Sequence, residues 1–342
     1  MLDDEKALDE IDVSGMLRQM TDLPAQLESS LSSKIIVGPG ANRLCLCGLG
    51  GSAMGADVLS DHMQRTTGIV TEVVRDVSLP GWVDADTLVV LMSYSGNTRE
   101  TLAMYDEARR RDARIVTITS GGRLLKLSEE NRHPHVKVPS GIQPRAALGH
   151  LLGAAASVVG AAGMSSVGND LRDMLPALRE EVASLAPGNP ESTNLAKQLA
   201  TQLHDRVPFI YSSRETRPAG RRWQTQINEN SKMLCLYGEL PEADHNQVVG
   251  WVDGERSKVA RPVFLRAASD RGMIADIVRA TISIFEDFGL EPVIVDLKGR
   301  TPLENVMRGM ILGDHVSYYL AMLKGVDPTP VSSISELKKR LG

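Results

Sequence analysis

Short apolar runs alternate along the chain with longer amphipathic segments, and most runs end at turns rich in small residues. This pattern is typical of strands buried on both faces of a parallel sheet. In the first half the predicted strands are Arg43–Cys47, Glu72–Asp76, Thr87–Met92, Ala113–Ile118 and Val136–Val138. In the second half the predicted strands are Val207–Tyr211, Pro262–Leu265 and Pro292–Val295.

The amphipathic segments between these runs predict helices. The helices expected after the turns end near Met63 and near Arg111, and later ones cover Ala219–Lys232, Ile274–Phe288 and Leu303 to about Lys324. A leading helical region carries Leu17, Met20, Leu23 and Leu27 at helical spacing, and Pro24 predicts a break in it.

Strands that alternate with helices indicate βαβ units. The predicted fold class is therefore α/β, with two doubly wound domains that each hold a mainly parallel sheet flanked by helices. The segment Ala186–Pro190 contains two prolines and a glycine and is the best candidate for a linker. The predicted domains are residues 1–186 and 191–342.

One long segment resembles a membrane span only in its lack of charge. Between Arg145 and Asp170 the chain has no Asp, Glu, Lys or Arg. The segment consists mainly of Ala, Gly and Ser, which contribute little transfer free energy and allow helices to pack closely. A buried helix is predicted here, at a domain or subunit interface, and no membrane partner is expected.

Composition and charge exclude several classes of protein. Thirty-eight Lys and Arg stand against 43 Asp and Glu, and aromatic residues make up 4%, so a nucleic-acid partner is not expected. The three cysteines, with Cys45 and Cys47 close together, cannot form a disulfide framework or a CxxC zinc pair. The acidic start, Met1–Lys6, carries no apolar signal region, so a cytoplasmic protein is expected.

A glycine-rich turn, Gly48–Gly55, joins a predicted strand to a predicted helix. The free N–H groups of a helix start favour an anion there. The spacing of Gly48, Gly50 and Ala53 also satisfies a loose dinucleotide-binding pattern, with Asp76 as a possible ribose-binding acid. This turn alone therefore leaves a dinucleotide, a phosphate group and a structural turn as alternatives.

A second turn, after the third predicted strand, carries three hydroxyl groups: Ser93, Ser95 and Thr98. A dinucleotide fold needs no such cluster, whereas one phosphate group offers several acceptors to hydroxyl and backbone donors. Both turns follow the carboxyl ends of strands, where open α/β sheets bind ligands. Together they predict a phosphate site.

These motifs resemble a known family. Gly50-Gly51-Ser52 followed by the segment Ser93–Thr98 resembles the sugar isomerase (SIS) domain, which binds phosphosugars. Downstream, Arg217–Lys232, Glu242–Asn246 and Asp327–Val331 resemble the bifunctional phosphoglucose/phosphomannose isomerase family, and the motifs occur in the family's order. The resemblance covers the chain from about residue 15.

The resemblance implies roles for several residues. The substrate phosphate is held by the two turns, through Gly51, Ser52, Ser93, Ser95 and Thr98. The catalytic base is Glu229, which moves a proton between C2 and C1 through a cis-enediolate. A carboxylate with a modestly raised pKa suits that step.

Four further roles follow from the family. Arg145 lies near the C1 and C2 oxygens and stabilises the enediolate charge. His245 opens the sugar ring and is supplied by the neighbouring subunit, which implies a homodimer with shared sites. A C-terminal lysine assists ring opening, with Lys338 as the best match and Lys339 as an alternative. A hydroxyl residue near C1 and C2 leaves room for either epimer, and Thr329, Ser332 and Ser333 are the candidates.

The predicted function is a metal-independent aldose–ketose isomerase without a cofactor, which interconverts glucose 6-phosphate and mannose 6-phosphate with fructose 6-phosphate. The sequence His133-Pro134-His135 lacks the neighbouring carboxylates of a typical metal site. The alternatives are a non-catalytic phosphosugar-binding regulator, an isomerase of another hexose or hexosamine phosphate, and a dinucleotide-dependent oxidoreductase.

Overall fold

The computed structural model describes residues 1–38, 40–252, 259–267 and 269–341. Residues 253–258, 268 and 342 of the predicted domain 191–342 lie outside the described residues. The chain forms two compact units. The N-terminal unit is Gln19–Ala177, and the C-terminal unit is Leu178–Gly342 together with Met1–Arg18. The domain bounds 1–186 and 191–342 stay a prediction.

The regular elements alternate along most of the chain. The strands are β1 (Arg43–Cys47), β2 (Val70–Val74), β3 (Thr87–Met92), β4 (Arg114–Thr119), β5 (His135–Lys137), β6 (Val207–Ser212), β7 (Leu236–Glu239), β8 (Ala260–Ala267) and β9 (Val293–Leu297). The α-helices are α1 (Glu5–Ile11), α2 (Met16–Thr21), α3 (Leu23–Ser30), α4 (Gly51–Thr66), α5 (Arg99–Arg110), α6 (Gly122–Glu130), α7 (Leu148–Ala161), α8 (Val167–Asp173), α9 (Leu175–Ser184), α10 (Leu195–Leu203), α11 (Arg217–Ser231), α12 (Gly272–Asp287), α13 (Pro302–Leu323) and α14 (Ser332–Leu341).

The N-terminal unit is built on a parallel sheet with the strand order β2-β1-β3-β4-β5. Every residue of β3 is buried, as expected for a central strand covered by helices on both faces. The order reverses between β1 and β3, which are neighbours in the sheet. Chains leave the carboxyl ends of two such strands on opposite sides, which opens a crevice where ligands bind.

Helix α7 confirms the buried helix predicted between Arg145 and Asp170. Eleven of its residues are buried. A Cβ on Gly149 would lie 2.5 Å from the Leu23 carbonyl oxygen, and one on Gly153 would lie 2.9 Å from that of Leu27. Glycine therefore lets α7 and α3 pack backbone to backbone within this unit. Of the helices in the described ranges, none has the length and apolar character needed to cross a membrane.

The C-terminal unit holds a second parallel sheet, with the order β7-β6-β8-β9. Stacked and edge-on aromatic rings fill one side of it, among them Tyr211, Phe264 and Phe285. The indole of Trp251 donates a hydrogen bond of 2.7 Å to the Tyr211 hydroxyl. Two parallel sheets flanked by helices confirm the predicted fold class.

The predicted elements differ from the observed ones mainly at their ends. Strands β1 and β3 have the predicted bounds, whereas β2 begins and ends two residues before the predicted Glu72–Asp76. Pro24 does mark a break, because α2 ends at Thr21 and Pro24 lies in the first turn of α3, where its missing N–H costs nothing. Strand β7 was absent from the prediction because it is short and only partly buried.

Candidate active site

The turn after β1 brings the start of α4 against Arg145. Gly50 has φ +53°, a left-handed conformation that favours glycine, and α4 begins at the next residue. A Cβ on Gly51 would lie 2.8 Å from the Arg145 Cα and 3.1 Å from the Pro144 carbonyl oxygen. Arg145 lies in a short 3₁₀ turn, Pro144–Ala146, and its side chain is buried. Glycine is therefore what allows these two backbones to meet.

The turn after β3 is joined to the first one by a hydrogen bond. The Tyr94 backbone N–H donates to Ser52 Oγ at 3.1 Å. The Tyr94 hydroxyl in turn accepts a bond of 3.3 Å from the Ile142 backbone N–H, in the segment that leads to Arg145. Burial raises the pKa of the Tyr94 hydroxyl, so it stays neutral. Tyr94 thus connects the turn after β3 with the start of α4 and with the segment before Arg145. This role was missed from the sequence.

The hydroxyl groups of the second turn organise its backbone. Ser93 Oγ lies 3.0 Å from Thr98 Oγ1 and accepts a bond of 3.2 Å from the Gly96 N–H. Ser95 Oγ accepts one of 3.3 Å from the Asn97 N–H, and Ser95 is exposed. Gly96 has φ +68°, so this turn also uses a left-handed glycine.

Within the N-terminal unit, the structure therefore brings together the residues predicted to hold phosphate. Gly51 and Ser52 open α4, and Thr98 precedes α5. Two helix starts, each with the positive end of a helix dipole, lie beside this hydroxyl cluster. Such an arrangement can bind a dianion through neutral donors.

In the C-terminal unit, the predicted base Glu229 lies near the end of α11 and is half-buried. One face of α11 packs against α13 through polar groups. The bonds of this α11–α13 ladder are Arg222 Nε to Asp314 Oδ1 at 2.7 Å, Arg222 Nη2 to Asp314 Oδ2 at 2.7 Å, Gln226 Nε2 to Asp314 Oδ1 at 2.9 Å, Asn230 Nδ2 to Ser317 Oγ at 2.9 Å and Ser231 Oγ to the Ser317 carbonyl at 2.7 Å.

The neighbours of Glu229 are anchored on both sides. Asn230 belongs to the ladder, and Asn228 Oδ1 accepts a bond of 2.9 Å from the Cys235 backbone N–H. The side chains of Arg222 and Asp314 are each 1% exposed, so their ion pair is shielded from water. The ladder therefore fixes the end of the helix that carries Glu229. In the sequence, this ladder was indicated only by a run of polar residues within a predicted helix.

In this unit His245 lies toward the carboxyl ends of the strands and Glu229 lies toward their amino ends. At one edge, Arg217 at the start of α11 pairs with Glu239 at the end of β7, at 3.3 Å. At the opposite, amino end of the strands, the last turns of α11 contact the residue before β7, through the bond from the Cys235 N–H to Asn228 Oδ1. Glu229 comes 12 residues after Arg217, which is about 18 Å along a helix.

His245 follows β7 in a short 3₁₀ turn, Glu242–His245, and is exposed. Its neighbour Asp244 accepts a hydrogen bond of 2.9 Å from the Thr281 hydroxyl, and burial raises the pKa of the Asp244 carboxyl. This turn therefore lies at the carboxyl edge of the sheet, on the side where α11 begins.

The remaining predicted residues lie on the C-terminal segment. Lys338 and its alternative Lys339 are exposed on α14. Of the three hydroxyl candidates, Thr329 is 8% exposed, whereas Ser332 and Ser333 lie exposed in the first turn of α14. The segment before α14 is held at the Glu229 end of α11, because Lys232 Nζ donates to the Pro328 carbonyl at 2.7 Å.

Among the described residues, no group of three or more His, Cys, Asp or Glu side chains could hold a metal ion.

Comparison with known proteins assigns the class first. The family model "Bacterial phospho-glucose isomerase C-terminal SIS domain" matches residues 192–341, and the model "SIS domain" matches residues 40–131. The fold and these matches define an SIS-domain protein.

Curated relatives then define the family. The chain is 34% identical over 299 residues to the bifunctional phosphoglucose/phosphomannose isomerase of Aquifex aeolicus, which covers 87% of this chain and 90% of that protein. It is 32% identical over 341 residues to the enzyme of the same name from Caldicellulosiruptor bescii, covering 95% and 98%. The chain belongs to the bifunctional phosphoglucose/phosphomannose isomerase family.

A solved structure agrees with the fold. The crystal structure of a glucose-6-phosphate isomerase like protein from Thermus thermophilus is 23% identical, with a TM-score of 0.67, and covers 99% of this chain and 98% of that chain. At this identity the match supports the fold alone.

Proposed function

We propose that this chain is an isomerase that interconverts glucose 6-phosphate and mannose 6-phosphate with fructose 6-phosphate. The observation that carries the proposal is the family membership, shown by relatives of that name that cover most of the chain. The hydroxyl cluster at two helix starts in the N-terminal unit supports a phosphorylated substrate.

The reaction needs one group that removes the C2 proton of the aldose and returns it at C1. Glu229 is the proposed base, since a carboxylate can hold that proton between the two steps. Arg145 is proposed to stabilise the negative charge that develops on the enediolate oxygens. His245 and Lys338 are proposed to open the sugar ring, because the ring oxygen must gain a proton as the anomeric hydroxyl loses one.

The phosphate group is proposed to bind at Ser52, Ser93, Ser95 and Thr98, with Gly51 allowing close approach of the backbone. All of these donors are neutral, so a chain of formal net charge −5 can still bind a dianion. Among the hydroxyl candidates near C1 and C2, Thr329 is favoured because it is buried and its segment is tied to the Glu229 end of α11.

A homodimer with shared sites is proposed from the opposite positions of Glu229 and His245. Within one C-terminal unit, α11 separates the edge that holds His245 from the edge that holds Glu229 by about 18 Å, which exceeds the length of a hexose phosphate. This separation supports the proposal that one substrate meets Glu229 from one copy and His245 from another. The proposed location is the cytoplasm, supported by the low number of cysteines.

Purified enzyme assayed with a panel of hexose and hexosamine phosphates tests the proposal. We expect conversion of glucose 6-phosphate and mannose 6-phosphate to fructose 6-phosphate without added nicotinamide cofactor, and the same rates in EDTA. Turnover of a hexosamine phosphate alone would replace the substrate. Binding of sugar phosphates without turnover would indicate a regulator, and restoration of EDTA-treated enzyme by a divalent metal would contradict metal independence.

Mixing two inactive variants tests the shared site. A Glu229→Gln chain and a His245→Ala chain, unfolded together and refolded, should form mixed dimers in which one of two sites has both residues intact. Half of the dimers are mixed, so about a quarter of the wild-type activity is expected. Each variant refolded alone is the control. If mixing restores nothing while mass measurements show mixed dimers, both residues act within one chain.

A further inference from the structure

We propose that Lys232 is a positioning residue that joins the end of α11, which carries Glu229, to the segment Asp327–Val331. The kinetic consequence of this inference rests on the proposed function. The connection that Lys232 makes between α11 and Asp327–Val331, called the Lys232 joint below, can be tested without activity.

The ammonium group of Lys232 lies against three backbone carbonyls. Lys232 Nζ donates to the Glu229 carbonyl at 2.7 Å, to the Asn230 carbonyl at 3.2 Å and to the Pro328 carbonyl at 2.7 Å. Three donors on one nitrogen are the full capacity of a lysine. Two of the acceptors belong to the last turn of α11, and the third belongs to a segment 96 positions away in the chain.

The backbone conformation at Lys232 would suit glycine, yet the residue is lysine. Lys232 ends α11 with φ +52° and ψ +36°, the left-handed conformation that usually favours glycine at this position. Glycine would relieve the strain but would leave the last carbonyls of α11 without this donor. A positive charge at the end of a helix also interacts favourably with the helix dipole.

The third bond connects two motifs that the sequence shows far apart. Pro328 precedes the buried Thr329, and the Thr329 N–H donates to Asp327 Oδ1 at 2.9 Å, which folds the segment into a turn. Helix α14, with Lys338, begins three residues after Thr329. Lys232 therefore sets the position of Glu229 relative to the residues proposed to face C1 and C2.

The consequence for the reaction follows from geometry. Proton transfer between C2 and C1 is sensitive to displacements of about 1 Å, which can lower the rate about 100-fold. The space for both C2 epimers is proposed to depend on the hydroxyl residue in or next to the same segment. Loss of the joint should therefore lower kcat for both aldoses and change their ratio, while the phosphate-binding turns of the N-terminal unit stay intact.

The variant Lys232→Met keeps the stem of the side chain and removes the donors. We expect kcat to fall about 10-fold or more, KM to change less than about 3-fold, and the ratio of kcat/KM for glucose 6-phosphate and mannose 6-phosphate to change. The variant Lys232→Arg, which keeps the charge and donors, should recover part of kcat. An unchanged kcat in a folded Lys232→Met enzyme would overturn the proposal.

The matched control is Lys324→Met, because Lys324 lies in the same region and its Nζ donates to the Lys232 carbonyl at 3.0 Å. It removes the same charge and leaves the bonds of Lys232 Nζ to Glu229 and Pro328 in place, so near-normal kinetics are expected. Equal losses in both variants would mean that local charge, and not the joint, sets the rate.

Hydrogen exchange separates the joint from the activity. In Lys232→Met the amides of Cys235 and Thr329 should both exchange faster than in wild type, whereas in Lys324→Met the Thr329 amide should not change. Unchanged exchange at Thr329 in Lys232→Met overturns the joint, whatever the kinetics show. If wild type is inactive on every hexose phosphate, the proposed function fails while the exchange result still decides the joint.

Discussion

The two units place their functional groups by different means. In the N-terminal unit, short turns at the carboxyl edge of the sheet hold neutral hydroxyl groups, and the bonds that organise them run within a turn or between two neighbouring turns. In the C-terminal unit, Glu229 lies at the end of a helix that is fixed by buried polar and charged groups from α13.

The difference fits the roles proposed for the two regions. A phosphate dianion presents several equivalent oxygens, so several neutral donors can bind it and no single one decides the geometry. A base that moves one proton must hold a single carboxylate in one place. A helix fixed along its length by the α11–α13 ladder can provide that rigidity for the proposed base, whereas turns suffice for the proposed phosphate site.

The largest effect is expected from breaking the ladder. Asp314→Ala leaves Arg222 buried without its carboxylate, which should lower the free energy of unfolding by about 3–5 kcal/mol. Denaturant unfolding measures this. The matched control is Asp296→Ala, which removes an equally two-pronged but exposed pair with Arg266 and should cost less than about 1 kcal/mol. Similar losses in both would show that burial does not distinguish the pairs.

A smaller effect is expected at the turn after β1. A Cβ on Gly51 would lie 2.8 Å from the Arg145 Cα, so Gly51→Ala must push α4 and the 3₁₀ turn apart. We expect kcat/KM to fall about 10- to 100-fold, which steady-state kinetics would measure. Gly68→Ala is the control, because among the described residues no atom beyond its chain neighbours lies within 4 Å of its added Cβ. Normal kinetics in Gly51→Ala would show that the close approach is not needed.

The smallest effect is a dependence of stability on pH. Burial lowers the pKa of His315, next to Asp314 on α13, below its ordinary 6.5. The unfolded chain therefore binds a proton below about pH 6.5 that the folded chain does not, so stability is full above that pH and is lost as pH falls. One histidine contributes at most about 1.4 kcal/mol per pH unit.

Unfolding measured between pH 7.5 and 5.5 should show a smaller loss of stability for His315→Gln than for wild type. Burial also lowers the pKa of His62, His133 and His150, so the variant should keep part of the dependence. Equal slopes for the variant and wild type would contradict the assignment to His315.

The comparison also explains what the sequence could predict. Strands β1 and β3 and the turns that follow them were predicted because apolar runs, glycines and hydroxyl residues are neighbours in the chain. The family resemblance indicated Glu229, His245 and Arg145 as single residues, and their roles stay predictions.

The α11–α13 ladder and the Lys232 joint were not predicted, because Arg222 and Asp314 are 92 positions apart and only folding brings them together. The opposite positions of Glu229 and His245 likewise depend on the direction in which α11 crosses the sheet. Tyr94 was missed for a similar reason, since its partners Ser52 and Ile142 belong to other segments.

The measurement that tests the central claim most directly is solvent exchange at C1 of fructose 6-phosphate, followed by NMR in deuterated water. Wild-type enzyme should introduce deuterium at C1, because a carboxylate that carries the proton exchanges it with solvent. Glu229→Gln should lower the exchange rate about 100- to 10,000-fold while still binding the sugar phosphate, and Glu286→Gln, an exposed carboxylate on α12, should behave as wild type. Exchange by Glu229→Gln at a near wild-type rate would contradict the assignment of Glu229 as the base.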